Sequence, residues 1–217
     1  MTQSVIAIIQ ARMGSTRLPG KVMKEVKGRP LIGLIMDRVK RALTVSDVWL
    51  ATSDQMLDDP LAKYAENQGY AVFRGNEENV LSRYVAVAET SRADVIVRIC
   101  GDCPLIDPGL IDQVVRFFQS ENVDYACNTL ERSFPDGLDV EVFSRAALER
   151  TGREAKDPFL TAHVTPYMHG RLKDRLPWGE FSVASMTGGA DLSHLRWAVD
   201  EPEDMDFIER LLAELPD

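Results

Sequence analysis

The sequence has few cysteines and no long apolar run. Only three cysteines occur among its 217 residues, too few for a disulfide framework, and a reducing compartment would keep them as thiols. No apolar run approaches the roughly 18 residues that a membrane-spanning helix needs. The segment 1–12 has a short apolar run without a basic region or a cleavage site, which predicts a buried strand rather than a signal peptide. We therefore expect a cytoplasmic protein without a membrane partner.

Basic side chains are also fewer than acidic ones, except near the beginning of the chain. The net charge of −9 argues against a nucleic-acid partner. Residues 1–41 nevertheless contain nine basic and only two acidic side chains. A basic segment in an acidic protein suits a small polyanion such as a nucleoside triphosphate, although a solvated helix face explains Lys40 and Arg41 equally well.

Short apolar runs alternate with segments of helical periodicity along the whole chain. Predicted strands cover 4–10, 47–52, 71–73, 94–99, 123–126, 180–186 and 195–199. Predicted helices cover 31–43, 59–69, 79–91 and 201–212, and two more begin at Asp107-Pro108 and Asp157-Pro158. This alternation predicts an α/β fold with a mainly parallel sheet covered on both faces, and 137–143 predicts an antiparallel excursion. We expect one domain over 1–217, with a small acceptor or dimerisation lobe within about 130–190.

The loop after the first predicted strand has the chemistry of a triphosphate site. Five residues separate Gly14 from Gly20, and Val22 follows Lys21, so the loop is not a Walker A motif. Its glycines allow backbone N–H groups to approach phosphate oxygens. Arg12, Arg17 and Lys21 add positive charge, and Ser15 and Thr16 add hydroxyl donors. The alternative is an ordinary polar loop.

Two aspartates follow predicted strands, where ligands of open α/β sheets bind. Asp102 is suited to magnesium, which takes hard oxygen ligands, but Gly-Asp-x-Pro is also a good turn. Asp200, with Pro202 and Glu203 after it, is suited to the same metal, although the residues alone favour a helix N-cap. The Cys100–Cys103 pair lacks the context of a redox or zinc motif, so we expect buried or incidental thiols.

A fourth candidate place surrounds Arg74 and Arg83. Either arginine could reach a base or a phosphate from the segment after the third predicted strand. Surface charge is an equally good interpretation.

Five segments resemble the cytidylyltransferase superfamily that includes CMP-Kdo synthetase and CMP-acylneuraminate synthetase. They are IIQARMGSTRLPGK (8–21), RICGDCPLID (98–107), DGLDVEVF (136–143), HVTPY (163–167) and LRWAVDEPED (195–204). Their order matches the family and is most similar to the branch called spore coat polysaccharide biosynthesis protein F. The resemblance implies a Rossmann-like three-layer nucleotide-diphospho-sugar transferase fold.

The resemblance also implies roles for individual residues. The nucleotide-binding residues that it implies are Gln10, Ala11, Arg12, Met13, Gly14, Ser15, Arg17, Lys21, Arg83, Gly101 and Asp102. It implies that Asp102 and Asp200 bind Mg²⁺ and that both act in catalysis with Lys21 and Arg12. Asp136, Asp139, Glu141 and His163 fall in segments typical of the branch and are predicted to contact the acceptor, while a half-exposed strand explains Asp139 and Glu141 equally well.

The expected reaction is a magnesium-dependent transfer of CMP from CTP to a sugar acid, nonulosonic or Kdo-like, with release of pyrophosphate. The resemblance further implies surface polysaccharide biosynthesis and a homodimer. A polyol phosphate or a phosphonate remains open as the acceptor. One rival is a glycosyltransferase of related fold, for which Asp139-Val-Glu141 is a poor metal motif. The other rival is a non-catalytic nucleotide-binding scaffold.

Overall fold

The computed structural model describes residues 3–214, and seven of the nine strands in that range lie in one sheet. The strands are β1 (Val5–Gln10), β2 (Glu25–Val26), β3 (Arg29–Pro30), β4 (Asp47–Ser53), β5 (Ala71–Gly75), β6 (Val95–Cys100), β7 (Tyr125–Cys127), β8 (Glu141–Ser144) and β9 (Val183–Ser185). The short strands β2 and β3 form a separate antiparallel pair. The other seven have the order β5-β4-β1-β6-β8-β7-β9.

Most strand pairs in this sheet are parallel, as the sequence predicts. β1 pairs in parallel with β4 on one side and with β6 on the other. Only β8 is antiparallel to its neighbours, β6 and β7, and it begins within the predicted excursion 137–143. Because the chain continues from β1 to one side and later returns to the other, the end of β1 is a topological switch point, where ligands bind in open α/β sheets.

Helices cover both faces of the sheet and give the fold three layers. They are α1 (Leu31–Lys40), α2 (Asp59–Asn67), α3 (Val80–Ser91), α4 (Pro108–Glu121), α5 (Arg145–Glu154), α6 (Pro158–His163), α7 (Pro166–His169) and α8 (Pro202–Glu214). Alternate residues of β1 enter opposite cores. Val5, Ala7 and Ile9 belong to the core that includes residues of α1, α2, α4 and α8, whereas Ile6 and Ile8 belong to the core that includes residues of α3 and α5–α7. The Rossmann-like fold class is thereby confirmed. No helix in the described range 3–214 has the length and hydropathy needed to cross a bilayer.

The predicted helix starts are partly confirmed. Asp107 and Asp157 cap α4 and α6, because their carboxylates accept the N–H groups of Leu110 and Phe159, each at 2.8 Å. The N-cap of α2 is Asp58 rather than Asp59, and its carboxylate makes no capping bond. The strand predicted at 195–199 is wrong, since that segment contributes only an isolated bridge between Asp136 and Arg196.

Candidate active site

Three segments that are distant in sequence meet at the carboxyl edge of the sheet. The loop 11–20 follows β1, the turn at 101–104 follows β6, and the segment 199–201 precedes α8. Gly101 N–H donates to the Gln10 carbonyl at 2.9 Å, and Val199 N–H donates to the Asp102 carbonyl at 2.8 Å. A Cβ atom on Gly101 would lie 2.7 Å from the Ala11 Cβ, so only glycine permits this approach.

The loop 11–20 is folded back on itself by its own backbone. The Met13 carbonyl accepts from Ser15 N–H at 2.9 Å and from Gly20 N–H at 3.0 Å. Gly20 has a φ of 69°, in the left-handed region that favours glycine. A short 3₁₀ turn, Lys21–Met23, follows at once. The loop thus returns Lys21 to the sheet edge from which it started.

Asp58 anchors this loop. The sequence did not predict that role for Asp58. Its side chain is only 2% exposed, and its Oδ1 accepts from Met13 N–H at 2.6 Å. Its Oδ2 accepts from both the N–H and the hydroxyl of Ser53, at the end of β4. The sequence indicated only a helix start here, because nothing local shows that this carboxylate turns toward a loop 45 residues away.

Lys21 lies between the two predicted metal aspartates. Its Nζ is 3.2 Å from Asp102 Oδ2, 2.9 Å from Asp200 Oδ1 and 2.7 Å from the Val199 carbonyl oxygen. An ammonium has three donors, and all three are used here. Arg17 adds a second cation, 2.9 Å from Asp200 Oδ1. The structure therefore brings together Arg17, Lys21, Asp102 and Asp200.

The N-cap interpretation of Asp200 is wrong, because another aspartate serves the start of α8. Asp204 Oδ2 accepts from the N–H groups of Asp200 and Glu201 at 2.9 and 2.8 Å. The Asp200 carboxylate faces Lys21 instead. Burial alone would raise the pKa of Asp200, but the hydrogen bond and charge of Lys21, with the charge of Arg17, lower it below its ordinary value. Asp200 is therefore ionised at neutral pH.

The chemistry of this pair fits a magnesium ion. Two carboxylates that contact one ammonium are close enough to share one cation, and magnesium often takes one or two carboxylates together with substrate phosphates and water. Within residues 3–214 there is no group of three or more His, Cys, Asp or Glu side chains arranged for a metal. The remaining ligands would have to come from substrate and solvent.

Two cavities adjoin at this edge. The smaller, of about 250 Å³, is lined by the loop 11–20 together with Lys21, Asp102 and Asp200. The larger is a cleft of about 1460 Å³ between α3 and the segment from α5 to α6. Gln10 and Arg12 line both cavities and mark their junction.

The arginines predicted near the nucleotide differ in their surroundings. Arg12 is half exposed and pairs with Glu77 at 3.1 Å. Arg83 lines the large cleft but is only 3% exposed, and burial lowers the pKa of its guanidinium. Its Nη1 reaches the Ala51 carbonyl at 3.4 Å, and its buried Nε has no partner in the described part of the chain. Arg74 is bound to backbone carbonyls of Ser53 and Gln55, which indicates a structural role.

The four residues predicted to contact the acceptor do not form one cluster. Asp139 makes a bidentate pair with Arg132 at 2.8 Å, and Asp136 lies 3.8 Å from the same guanidinium. His163 lines the large cleft, where burial and then the charge of Arg98 lower the pKa of its imidazole.

Glu141 is buried and does not reach either cavity. Its carboxylate pairs with Arg98 and accepts from the Tyr125 hydroxyl at 2.6 Å. The acceptor contacts of all four residues stay predictions.

The three cysteines are free, as expected. Burial raises the pKa of the Cys100 thiol to about 12, so this thiol at the rim of the smaller cavity stays protonated at neutral pH.

Comparison with known proteins gives a consistent set of matches. The family model described as "Cytidylyltransferase" matches residues 6–215. The spore coat polysaccharide biosynthesis protein SpsF of Bacillus subtilis is 37% identical over 76% of this chain and 69% of its own length. A 3-deoxy-manno-octulosonate cytidylyltransferase of Anaeromyxobacter is 31% identical over 98% of each chain. The structure of a cytidylyltransferase from Leptospira borgpetersenii superposes with a TM-score of 0.92 at 30% identity, covering 100% of this chain and 89% of that one.

Proposed function

Since this chain belongs to the cytidylyltransferase family, we propose that it transfers CMP from CTP to a sugar acid, with magnesium, and releases pyrophosphate. The observation that carries the proposal is the convergence of Lys21, Asp102 and Asp200 at one sheet edge. Cations for a triphosphate and carboxylates for a metal lie together there, beside a cavity that the glycine-containing loop lines.

The smaller cavity suits the triphosphate. Lys21 and Arg17 line it together with Arg12, so three cations are available to offset negative charge on the departing pyrophosphate. The Oγ of Ser15 accepts from Leu18 N–H at 3.3 Å, which leaves its hydroxyl hydrogen for a phosphate oxygen. Nucleotidyl transfer depends mainly on positioning and charge neutralisation, and this set of groups supplies both.

Asp102 and Asp200 are the residues that would hold magnesium. When bound, the ion supplies polarisation of the α-phosphate and a lower pKa for the acceptor hydroxyl. The expected chemistry is an in-line displacement. The acceptor oxygen bonds to the α-phosphorus, and the bond between the α-phosphorus and the pyrophosphate oxygen breaks. Lys21 contacts both carboxylates and lines the smaller cavity, so its ammonium lies beside the place proposed for the phosphates.

The large cleft suits the nucleoside part of CTP and the acceptor. Small-molecule sites usually measure about 300–1,000 Å³, and this cleft of about 1460 Å³ has room for a nucleoside beside a second ligand. Arg83, Arg153 and Lys156 lie in its wall and offer partners for an acidic group. A sugar acid agrees with the name of the Anaeromyxobacter relative, and a role in surface polysaccharide synthesis agrees with that of the Bacillus relative.

The test is pyrophosphate release with each of the four ribonucleoside triphosphates, magnesium and a panel of acids (Kdo, neuraminic, legionaminic and pseudaminic). We expect release only with CTP and only with one acid. Release from a polyol phosphate or a phosphonate in a second panel would replace the acceptor class. Hydrolysis of a nucleotide-sugar without use of CTP would favour the glycosyltransferase, and failure to bind any nucleotide in a thermal-shift assay would favour the scaffold.

Asp102→Asn is the matched variant for this assay. It should lower turnover by at least about a hundredfold, since removing one metal carboxylate weakens transition-state charge stabilisation. Asp54→Asn, an exposed change on the same side of the sheet, is the control and should leave turnover unchanged. Unchanged turnover of Asp102→Asn would remove this residue from the mechanism.

We also propose a homodimer, which light scattering tests through the molecular mass in solution.

A further inference from the structure

A chain of buried hydrogen bonds crosses the sheet and ends on the side-chain amide of Gln10. Tyr125 on β7 donates to Glu141 on β8, and Glu141 pairs with Arg98 on β6. Arg98 Nε then donates to Gln10 Oε1 at 3.1 Å, across the parallel pair of β6 and β1. The Tyr84 hydroxyl, from α3, lies 3.2 Å from the same Oε1 and 3.3 Å from the Ile8 carbonyl oxygen, and it donates its single hydrogen to one of the two.

This chain fixes which way the Gln10 amide points. The oxygen and nitrogen of a side-chain amide are assigned from their hydrogen-bond partners. Arg98 decides the assignment, because a guanidinium has donors and no acceptor. If the amide were reversed, its NH₂ group would face the Arg98 Nε–H, so that two donors would oppose each other inside the protein. The Gln10 oxygen is therefore held inward.

The amide nitrogen consequently points away from the network. Gln10 is partly exposed and lines both the smaller cavity and the large cleft. Within residues 3–214 the hydrogen bonds of the Gln10 side chain all go to its Oε1, and its Nε2 has none. The Gln10 oxygen is already bound on the inside. Its NH₂ group is unpaired at the junction of the two cavities and is the group that can bind a ligand.

We propose that Gln10 is a specificity-determining residue, which presents a fixed N–H donor to an accepting oxygen or ring nitrogen of the substrate. The proposal rests on the proposed function and adds a chemical requirement to it. A substrate with a donor at this position would oppose the Gln10 NH₂ group and bind more weakly. The accepting atom belongs either to the nucleotide or to the sugar acid, since Gln10 lies between their two cavities.

The proposal gives Arg98 and Glu141 a common role as positioning residues. Neither residue lines the smaller cavity or the large cleft. Glu141 holds Arg98, and Arg98 holds the amide of Gln10 in one orientation. Buried polar networks of this kind, with all members bonded, keep side chains in one conformation.

Two variants of Gln10 test the proposal. Gln10→Glu keeps an accepting oxygen for Arg98 and Tyr84 but replaces the donating NH₂ group by oxygen. Gln10→Met removes the donor without adding charge. We expect each variant to raise one substrate constant by about tenfold or more, the scale of one lost hydrogen bond, while kcat changes less than threefold. Tyr84→Phe is the matched control, because Arg98 alone still fixes the amide, and it should change neither constant by more than twofold.

The two possible sources of the accepting atom are separated by two measurements. Calorimetric titration with CTP in the absence of acid reports the nucleotide contact. The KM for the acid at saturating CTP reports the acceptor contact. The thermal midpoint of each variant establishes that it is folded.

Each outcome has a defined meaning. Two Gln10 variants whose constants for both substrates lie within twofold of the wild type would overturn the inference, while the proposed function stands. An effect of Gln10→Glu without one of Gln10→Met would also overturn it, because the cause would then be the added charge. A wild-type protein that fails to bind CTP would overturn the proposed function, and the inference with it.

Discussion

The Lys21 Nζ and Asp200 Oδ1 lie 2.9 Å apart, although 179 positions separate the two residues in the chain. The ammonium also reaches Asp102, so it holds together the two carboxylates that are proposed to bind magnesium. Lys21 is only 8% exposed, and burial of this kind strengthens such contacts.

Lys21→Met should therefore make the thermal midpoint of the protein depend more strongly on magnesium. The change leaves two neighbouring carboxylates without their shared cation, which lowers the thermal midpoint in the absence of metal. Magnesium then stabilises the variant more than the wild type, because no ammonium competes for the carboxylates. Differential scanning fluorimetry with and without magnesium measures both effects, and Lys24→Met, an exposed change nearby, is the control. Equal magnesium shifts in all three proteins would contradict the prediction.

Asp200 and Asp204 should separate activity from stability. Asp200→Asn keeps an oxygen for Lys21 but loses the charge, so turnover should fall by at least about a hundredfold with little change in the thermal midpoint. Asp204→Asn removes the carboxylate that accepts two N–H groups at the start of α8. It should cost about 1–2 kcal/mol of unfolding free energy, or a few degrees, and retain most of the turnover. The reverse pattern would show that Asp204 serves the chemistry.

Asp58→Asn should weaken nucleotide binding from outside the cavity. The amide nitrogen of the variant must face either the Met13 N–H or the Ser53 donors, so one contact becomes unfavourable. The loop 11–20 loses its anchor, and the Kd for CTP should rise by about five- to tenfold. Asp59→Asn, an exposed neighbour that pairs with Arg74 at 2.6 Å, is the control for calorimetry. Equal Kd values for the two variants would show that the anchor does not matter for binding.

Gly101→Ala should destabilise the fold at the junction of two segments. The new Cβ would lie 2.7 Å from the Ala11 Cβ and 2.8 Å from the Gln10 carbonyl oxygen. Backbone on both sides must move, and the expected cost is about 1–3 kcal/mol in urea unfolding. Gly189→Ala introduces the same methyl group where no atom lies within 4 Å, and it should cost far less. Equal costs would mean that the two segments separate without strain.

Asp112→Asn should give a stability difference that depends on pH. Asp112 accepts from the Thr44 hydroxyl and N–H and from the Leu43 N–H. Burial raises the pKa of Asp112, but these hydrogen bonds lower it by more than burial raises it. The net pKa therefore lies below the ordinary value of 3.8. Its contribution is therefore fully present above about pH 4 and is lost as the pH falls through the lowered pKa.

The measurement is urea unfolding from about pH 7 down to about pH 3. The variant should be less stable by about 1–2 kcal/mol at neutral pH, and the two proteins should converge as the pH falls. Asp206→Asn, on the exposed side of α8, should differ little from the wild type at any pH. A difference that stays constant down to pH 3 would show that ionisation of Asp112 is not its source.

The sequence predicted those parts of the fold that local patterns determine. The continuous apolar run of β1 and the Asp-Pro pairs before α4 and α6 identify a buried strand and two helix starts without reference to distant residues. The loop after β1 and the two aspartates were placed at one edge because the carboxyl ends of parallel strands meet there.

Other features depend on how distant segments meet, which no local pattern shows. Asp204 replaced Asp200 as the capping residue, since Lys21 approaches Asp200 from the far end of the chain. Glu141 alternates like a half-exposed strand residue, but strand register places it opposite Arg98. The segment 195–199 has strand-like composition but finds no full strand partner among residues 3–214.

The contact between Lys21 and the Val199 carbonyl has a consequence for biosynthesis, because 178 positions separate them. Ribosomes add about 5–20 residues per second, so Lys21 leaves the exit tunnel roughly 10–35 s before its partner. During that interval the emerging chain can complete the inner strands β1, β4 and β6, all of which lie before residue 101. The inner strands can therefore pair early in translation, whereas Lys21 gains this contact only after residue 199 has been added.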